Sequence, residues 1–274
     1  ISDPSWENHR ALFESAGFRV ENYPDYDAAT KGVNFAGMMA CLAGLPAGSI
    51  VVLHACCHNP TGADLSEAQW LEVVEVIRAR GLVAFIDMAY QGFADGIEPD
   101  ALALRLFAAS GLQFFVSSSF SKSFSLYGER VGALSIVTAS RDESARVMSQ
   151  VKRVVRTNYS NPPTHGGAVV AAVLASPELR KLWEEELAGM RERIRAMRTG
   201  LVDKLKARGV AQDFAFVARQ RGMFSYTGLT AEQVERLKSE FGIYAVSTGR
   251  ICLAALNTRN LDYVADAIAA VIRK

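Results

Sequence analysis

The chain has 274 residues, 50% of them hydrophobic, and 30 Lys and Arg against 29 Asp and Glu give a net charge of +1. That length can bury one large core or two smaller ones, and a balanced charge without long like-charge blocks excludes nucleic acid and anionic membrane surfaces as expected partners. No stretch approaches about 18 uncharged apolar residues, so no membrane-spanning helix is expected.

The opening residues, Ile1-Ser2-Asp3-Pro4-Ser5-Trp6, have no charged or apolar leader and are not a signal peptide. They read as the end of a strand running into a loop, as if the chain began inside a longer protein. Cys41, Cys56, Cys57 and Cys252 lack regular spacing and read as reduced thiols of a cytoplasmic enzyme.

Ile50 to Leu53, Leu82 to Ile86 and Leu112 to Val116 are short continuous apolar runs, the pattern of parallel strands buried on both faces. A fourth run, Gly132 to Val137, follows too closely for a crossover helix and is expected to be antiparallel. Between the first two runs, Ser66 and Gln69 form a capping box, Trp70, Leu71, Val74 and Ile77 form an apolar stripe, and Gly81 stops the helix. This βαβ order predicts an α/β fold.

A long helix opens at Ser176 and Pro177 and ends at Gly209, with Trp183, Leu187, Met190, Ile194, Met197, Leu201 and Leu205 on its apolar side. It is long enough to link two domains. Short strands are expected at Phe214 to Val217, Met223 to Tyr226, Tyr244 to Val246 and Ile251 to Ala254, with helices from Thr230 and Asn260. The expected division is a large domain over residues 1–188 and a smaller C-terminal α+β domain over 189–274.

Three polar clusters follow three successive strands: Cys57-His58-Asn59-Pro60-Thr61-Gly62, Asp87-Met88-Ala89-Tyr90, and Ser117 to Lys122. Ligands of open α/β sheets bind outside the carboxyl ends of strands, so the three should converge on one crevice. Lys122, ringed by hydroxyls and close to Arg130, is placed to form a Schiff base with an aldehyde whose phosphate its neighbours hold. Pyridoxal 5′-phosphate (PLP) carries both groups.

Asp87 then supplies the carboxylate that keeps the pyridine nitrogen protonated. Asn59 and Tyr90 can donate to the ring 3-oxygen. Ser119 and Arg130, with Ser121 as a third, are the candidates for phosphate, because an arginine fork suits that anion. Read singly, Asp87 is equally a helix cap or salt-bridge partner and Asn59-Pro60-Thr61-Gly62 an ordinary turn. His54, Cys56 and His58 fall on one strand face but match no familiar zinc spacing, so packing and hydrogen bonding are expected there and no metal.

With these residues laid out, the sequence resembles the class I, fold-type I PLP-dependent aminotransferases of the aspartate/aromatic subgroup. The resemblance rests on Asp3 to His9, His54 to Gly62, Asp87 to Phe93, Ser119-Phe120-Ser121-Lys122, Tyr127 to Gly132, Arg156 to Pro163, Arg221 to Tyr226 and Gly249-Arg250. It implies a mostly parallel sheet with one antiparallel strand. Lys122 would hold PLP and then move the substrate proton. Trp6 would stack on the ring, His9 would hydrogen-bond Asp87, and Arg250 would grip the substrate α-carboxylate.

Arg156 would reach into the neighbouring subunit's site and pair with the distal carboxylate of a dicarboxylic substrate, which implies a homodimer. The segments Phe124 to Arg130 and Arg221 to Leu229 resemble the aromatic branch more closely. The expected reaction is ping-pong transfer of an aromatic amino acid's (or aspartate's) amino group to 2-oxoglutarate. An aspartate-preferring enzyme is the first alternative.

Arg156 together with Arg250 disfavours decarboxylation or β-elimination. The family's N-terminal arm, its phosphate-binding small-residue loop and a tyrosine given across the dimer have no counterpart in this sequence. An inactive or merely dimerising fragment is therefore a further alternative.

Overall fold

The computed structural model describes residues 1–273. Its central sheet has four strands, Ile50–His54, Val83–Met88, Phe114–Ser119 and Gly132–Val137, in that spatial order. The first three are parallel and the last antiparallel, as the spacing of the apolar runs predicts. Each of the two crossover-linked strands begins and ends later than its apolar run, so Asp87 and Ser117 to Ser119 lie inside strands rather than after them. Backbone pairing carries the ladder through these polar residues whatever their side chains.

Register sets the site. His54 pairs with Asp87, and Asp87 pairs with Ser117, so three polar side chains line up across the carboxyl ends of adjacent strands. Where Ser119 pairs with Gly132, the chains run so close that a Cβ on Gly132 would meet the Ser118 carbonyl oxygen at 2.6 Å. Only glycine fits there.

The helix Glu67–Arg80 has the predicted capping box of Ser66 and Gln69 and ends on Gly81 in the left-handed conformation. Its buried side chains are Trp70, Val73, Val74 and Ile77, whereas Leu71 is exposed, so the stripe is rotated by one position from the predicted one. These residues pack with the helices Phe35–Gly44 and Leu102–Ala109 against one face of the sheet. On the other face, the helix Glu7–Ser15 sets Phe13 edge-on to Phe85, which stacks on Phe115 at 5.9 Å between ring centroids.

A second core surrounds the helix Pro177–Ala207, whose 31 residues span about 46 Å. Leu187, Ile194, Met197, Leu201 and Leu205 are buried along it, against the helices Ala231–Phe241 and Leu261–Ile272. Cys56, Cys57, Tyr90, Phe93 and Ala94, from the loops at the sheet's carboxyl edge, belong to this core rather than to the sheet's own. The polar loops are thus held between two apolar bodies.

Two expected strands are not strands. Phe214 is the N-cap of a helical turn, Ala215–Arg219, entered through an Asx turn in which the Asp213 carboxylate accepts from the Ala215 N–H at 2.7 Å. Tyr244 to Val246 forms no strand. The other two are shorter than predicted: Phe224–Tyr226 pairs antiparallel with Arg250–Cys252, and Leu253–Ala255 turns into a 3-10 helix.

Candidate active site

A cleft of about 580 Å³ opens at the carboxyl ends of the sheet strands, lined by Trp6, His9, Asn59, Asp87, Tyr90 and Lys122 among others. Ser119, Ser121 and Arg130 line the same cleft, so nine of the residues singled out from sequence converge there.

The Lys122 ammonium lies over the Tyr90 ring, 4.7 Å from its centroid. Burial lowers its pKa and Arg130 lowers it further, against the opposing pull of Asp87. An amine so placed gives up its proton more readily, which a nucleophile requires. The loop around it is fixed from outside: Trp183 of the long helix donates its indole N–H to the Ser123 carbonyl at 2.7 Å and stacks on Phe124.

Burial pushes the Asp87 carboxyl up, but the hydrogen bond from His9 and the charges of His54, His9 and Lys122 outweigh it and hold the group below the usual range. His9 Nε2 meets Asp87 Oδ2 at 2.8 Å, and Ser5 Oγ meets His9 Nδ1 at 3.0 Å. A donor from serine fixes the histidine with its Nε2–H toward the carboxylate. Asp87 is therefore held ionised, with its other oxygen left for a cation.

The Tyr90 phenol is raised by burial and then by Tyr127 and Asp87, so it stays a neutral donor. Arg250 Nη1 donates to Asn59 Oδ1 at 3.2 Å, which leaves the Asn59 amide nitrogen as the free donor. The Arg250 guanidinium lies 4.8 Å from the Phe224 ring centroid. Trp6, 36% exposed, stands edge-on to His9 at the cleft mouth. At the opposite end, Ser119 Oγ accepts from the Ser121 N–H at 3.2 Å, and Arg130, exposed and in the left-handed conformation, donates to the Tyr127 carbonyl at 3.0 Å.

Arg156 does not reach this cleft. It is exposed near the end of the helix Arg141–Asn158, hydrogen-bonded to Ser160.

Behind Asp87 runs an assembly of which the sequence reading singled out only His54 and His58, as packing and hydrogen-bonding residues. The His54 ring lies 5.1 Å from His9 and 4.2 Å from His58. Both His54 ring nitrogens are sealed from water without a hydrogen-bond partner among the described residues, and burial, then His58, drive its pKa far down. His58 contacts Ser2 Oγ at 3.0 Å and Thr61 Oγ1 at 2.8 Å, and lies 3.3 Å from Asp25 Oδ2.

Asp64 accepts the backbone N–H groups of Cys57 and His58, and Asp100 those of Gly92, Ala94, Asp95 and Gly96. Each aspartate braces one site loop. Their one sequence signal is a carboxylate set a few residues past a strand-end loop. His9, His54 and Asp87 could approach one ion together, but the His9–Asp87 hydrogen bond already uses the ligand atoms that face each other.

The model of the family "Aminotransferase class I and II" matches residues 1–268. The chain belongs to the class I and II aminotransferases. It is 71% identical over 272 residues to an aspartate aminotransferase of Pseudomonas aeruginosa, covering 99% of this chain and 68% of the relative. It is 54% identical, with the same two coverages, to the aromatic-amino-acid aminotransferase of Escherichia coli.

Among solved structures, the aromatic-amino-acid aminotransferase of Burkholderia pseudomallei, covalently bound to pyridoxal phosphate, superposes with a TM-score of 0.99 at 73% identity, covering 100% of this chain and 68% of that one. The α/β PLP-transferase fold and a PLP-dependent aminotransferase activity go with this membership, as the sequence resemblance implies. All four cysteines are free thiols, and among the described residues no helix is long and apolar enough to cross a membrane.

Proposed function

We propose that this aminotransferase binds PLP in the cleft of Lys122 and Asp87 and moves the amino group of an aromatic amino acid, or of aspartate, to 2-oxoglutarate. The observation that carries the reading is the pairing, in one cleft, of a half-buried amine of lowered pKa with a carboxylate held ionised by His9. The donor set fits the cofactor: an ionised acid for a protonated ring nitrogen, two neutral donors for a ring oxygen, and hydroxyls with a guanidinium for a phosphate. When bound, PLP supplies an aldehyde carbon and an electron-withdrawing ring.

The chain's own residues do the rest. Asp87 holds the proton on the ring nitrogen. Asn59 and Tyr90 donate to the ring 3-oxygen, Trp6 covers the ring, and Ser119, Ser121 and Arg130 hold the phosphate. Arg250, aligned by Asn59, binds the substrate α-carboxylate. Lys122, freed as an amine, takes the proton from the substrate Cα and returns it to the cofactor side.

The finer assignments belong to the same proposal. The enzyme works as a cytoplasmic homodimer in which Arg156 reaches the neighbouring subunit's cleft and pairs with a distal carboxylate. The helix that carries Arg156 buries none of its residues within the chain and leaves Met148 and Val154 exposed, which suits a subunit contact. The division near residues 188 and 189 falls within the helix Pro177–Ala207, whose buried apolar side chains all belong to the second core. The names of the relatives support both donor classes, and the aromatic preference rests on the segments Phe124 to Arg130 and Arg221 to Leu229.

The test is glutamate formation from phenylalanine, tyrosine or aspartate with 2-oxoglutarate by the PLP-loaded protein. Lys122→Ala should lose about 10⁴-fold in turnover, the scale of a lost acid–base group. Undiminished turnover in that variant would sink the assignment.

A further inference from the structure

A second cleft, of about 260 Å³, lies along the long helix between the turn at residues 93–95 and the loop at 218–222. Its walls carry five guanidiniums, those of Arg191, Arg195, Arg198, Arg219 and Arg221. Two carboxylates form ion pairs with them, Asp95 with Arg195 and Arg221 and Glu192 with Arg191 and Arg195, and Asp64 adds a more distant negative charge near Arg198 and Arg221. The guanidiniums still outnumber the carboxylates near them, five to three, in one small concavity.

Arg198 is the most telling of the five. It is 2% exposed, it donates to the carbonyls of Val217, Gly222 and Phe224, and no carboxylate lies within ion-pair distance of it. Burial lowers its pKa to about 10, which still leaves it charged at neutral pH. Its charge is met by three carbonyl dipoles and the more distant Asp64 rather than by a paired carboxylate, so an anion in the cleft would be favoured.

Two further groups stand ready. Arg219 makes no hydrogen bond or ion pair among the described residues. Gln220, 5% exposed, has its Oε1 engaged by Ser225 while its Nε2 lacks a partner.

We infer that this arginine-lined cleft is a binding site for a phosphate-type dianion, separate from the catalytic cleft. Planar forks arriving from the long helix on one side and from the 218–222 loop on the other suit a tetrahedral anion with acceptors in several directions. An occupant would tie that loop to the turn after Tyr90. The loop in turn donates the Arg221 N–H to the Gly62 carbonyl at 2.8 Å and packs Gly222 against Cys57, both beside Asn59. The inference does not depend on the catalytic proposal, because it is read by binding alone.

The experiment is titration of inorganic phosphate into the PLP-loaded protein at constant ionic strength, followed by calorimetry and by the unfolding temperature. Saturable binding of one phosphate per chain and a rise in unfolding temperature are expected. Arg219→Glu, which removes no bond of the fold, should weaken binding by about tenfold or more. Arg130→Ala, which alters only the catalytic cleft, should leave it unchanged. Glycerol 3-phosphate binding more tightly than phosphate would make the ligand a phosphate monoester, and the reverse would make it the free anion; either supports the site. Absence of saturable binding, indifference to Arg219→Glu, or loss in Arg130→Ala would each overturn it.

Discussion

The two ends of the catalytic cleft are built to different standards. At the Asp87 end, each side chain is positioned by another: Ser5 orients His9, His9 orients Asp87, and two more imidazoles, His54 and His58, lie tilted behind them down to Asp25. At the Arg130 end, an exposed guanidinium bonds one local carbonyl, and Ser119 accepts from a residue two positions along its own chain. The side chains of the ring-nitrogen end are fixed by contacts between distant segments before any ligand arrives, whereas those of the phosphate end bond only neighbours along the chain. Chemistry that depends on a fixed charge is thus placed where the chain is most constrained, and affinity where it is least.

That contrast is sharpest under substitution of Asp87. Asp87→Asn leaves the hydrogen-bonding shape but removes the charge, and turnover should fall by about 10² to 10⁴-fold with PLP still bound. Activity within a few-fold of wild type would show that the carboxylate is not the group that keeps the ring nitrogen protonated. Arg130→Ala should do the opposite: PLP affinity should weaken by about 10- to 100-fold, the value of one or two charge-assisted bonds, while turnover at saturating PLP changes little. An equal loss of turnover at saturation would erase the distinction between the two ends.

His9 tests whether the contrast passes through Asp87. His9→Asn should lower turnover by about tenfold, less than Asp87→Asn, because the acid remains and loses one hydrogen bond. The pH profile separates this from simple damage. Without His9 the Asp87 carboxyl loses the hydrogen bond that holds its pKa down, so activity should begin to fall at a higher pH as the medium is acidified. An unmoved acid limb would make His9 a packing residue.

Legibility followed the same divide. The four strands of the central sheet, both capping boxes and seven of the nine cleft residues were readable because each signal is local: an apolar run, a cap at fixed spacing, a polar cluster at a strand end; Trp6 and His9 came only through the family resemblance. Phe214 to Val217 misled because a short apolar run fits a strand and a helical turn equally, and the deciding signal was the Asp213 Asx turn next to it. Leu71 misled by a single helical step. Asp25 stayed hidden, and His54 and His58 were expected only to pack and hydrogen-bond, because their partners lie on separated segments, which no periodicity records. Arg198 drew no reading from sequence, yet it is among the most deeply buried polar groups of the fold.

Asp25 has the smallest expected effect on turnover and the clearest one on stability. Burial, then the charge of Asp64, raises its pKa to about 7, while burial, then His9, lowers that of His58 to about 3. Between about pH 4 and 6.5 the unfolded chain carries an ionised Asp25 and a charged His58, and the folded chain carries both neutral. Each state of the pair holds one proton, so the pair contributes almost no pH dependence there.

Alone, Asp25 supplies stability at low pH that is lost as the pH rises toward its folded value, and His58 supplies the opposite slope. Asp25→Asn keeps an amide near His58 Nε2 and removes only the first of these. Relative to wild type, the variant should therefore gain stability as the pH rises from about 4 to 7, at up to about 1.4 kcal/mol per pH unit, in denaturant unfolding. Parallel curves for variant and wild type across that window would mean that Asp25 is ionised in the fold and pairs with a charged His58 instead.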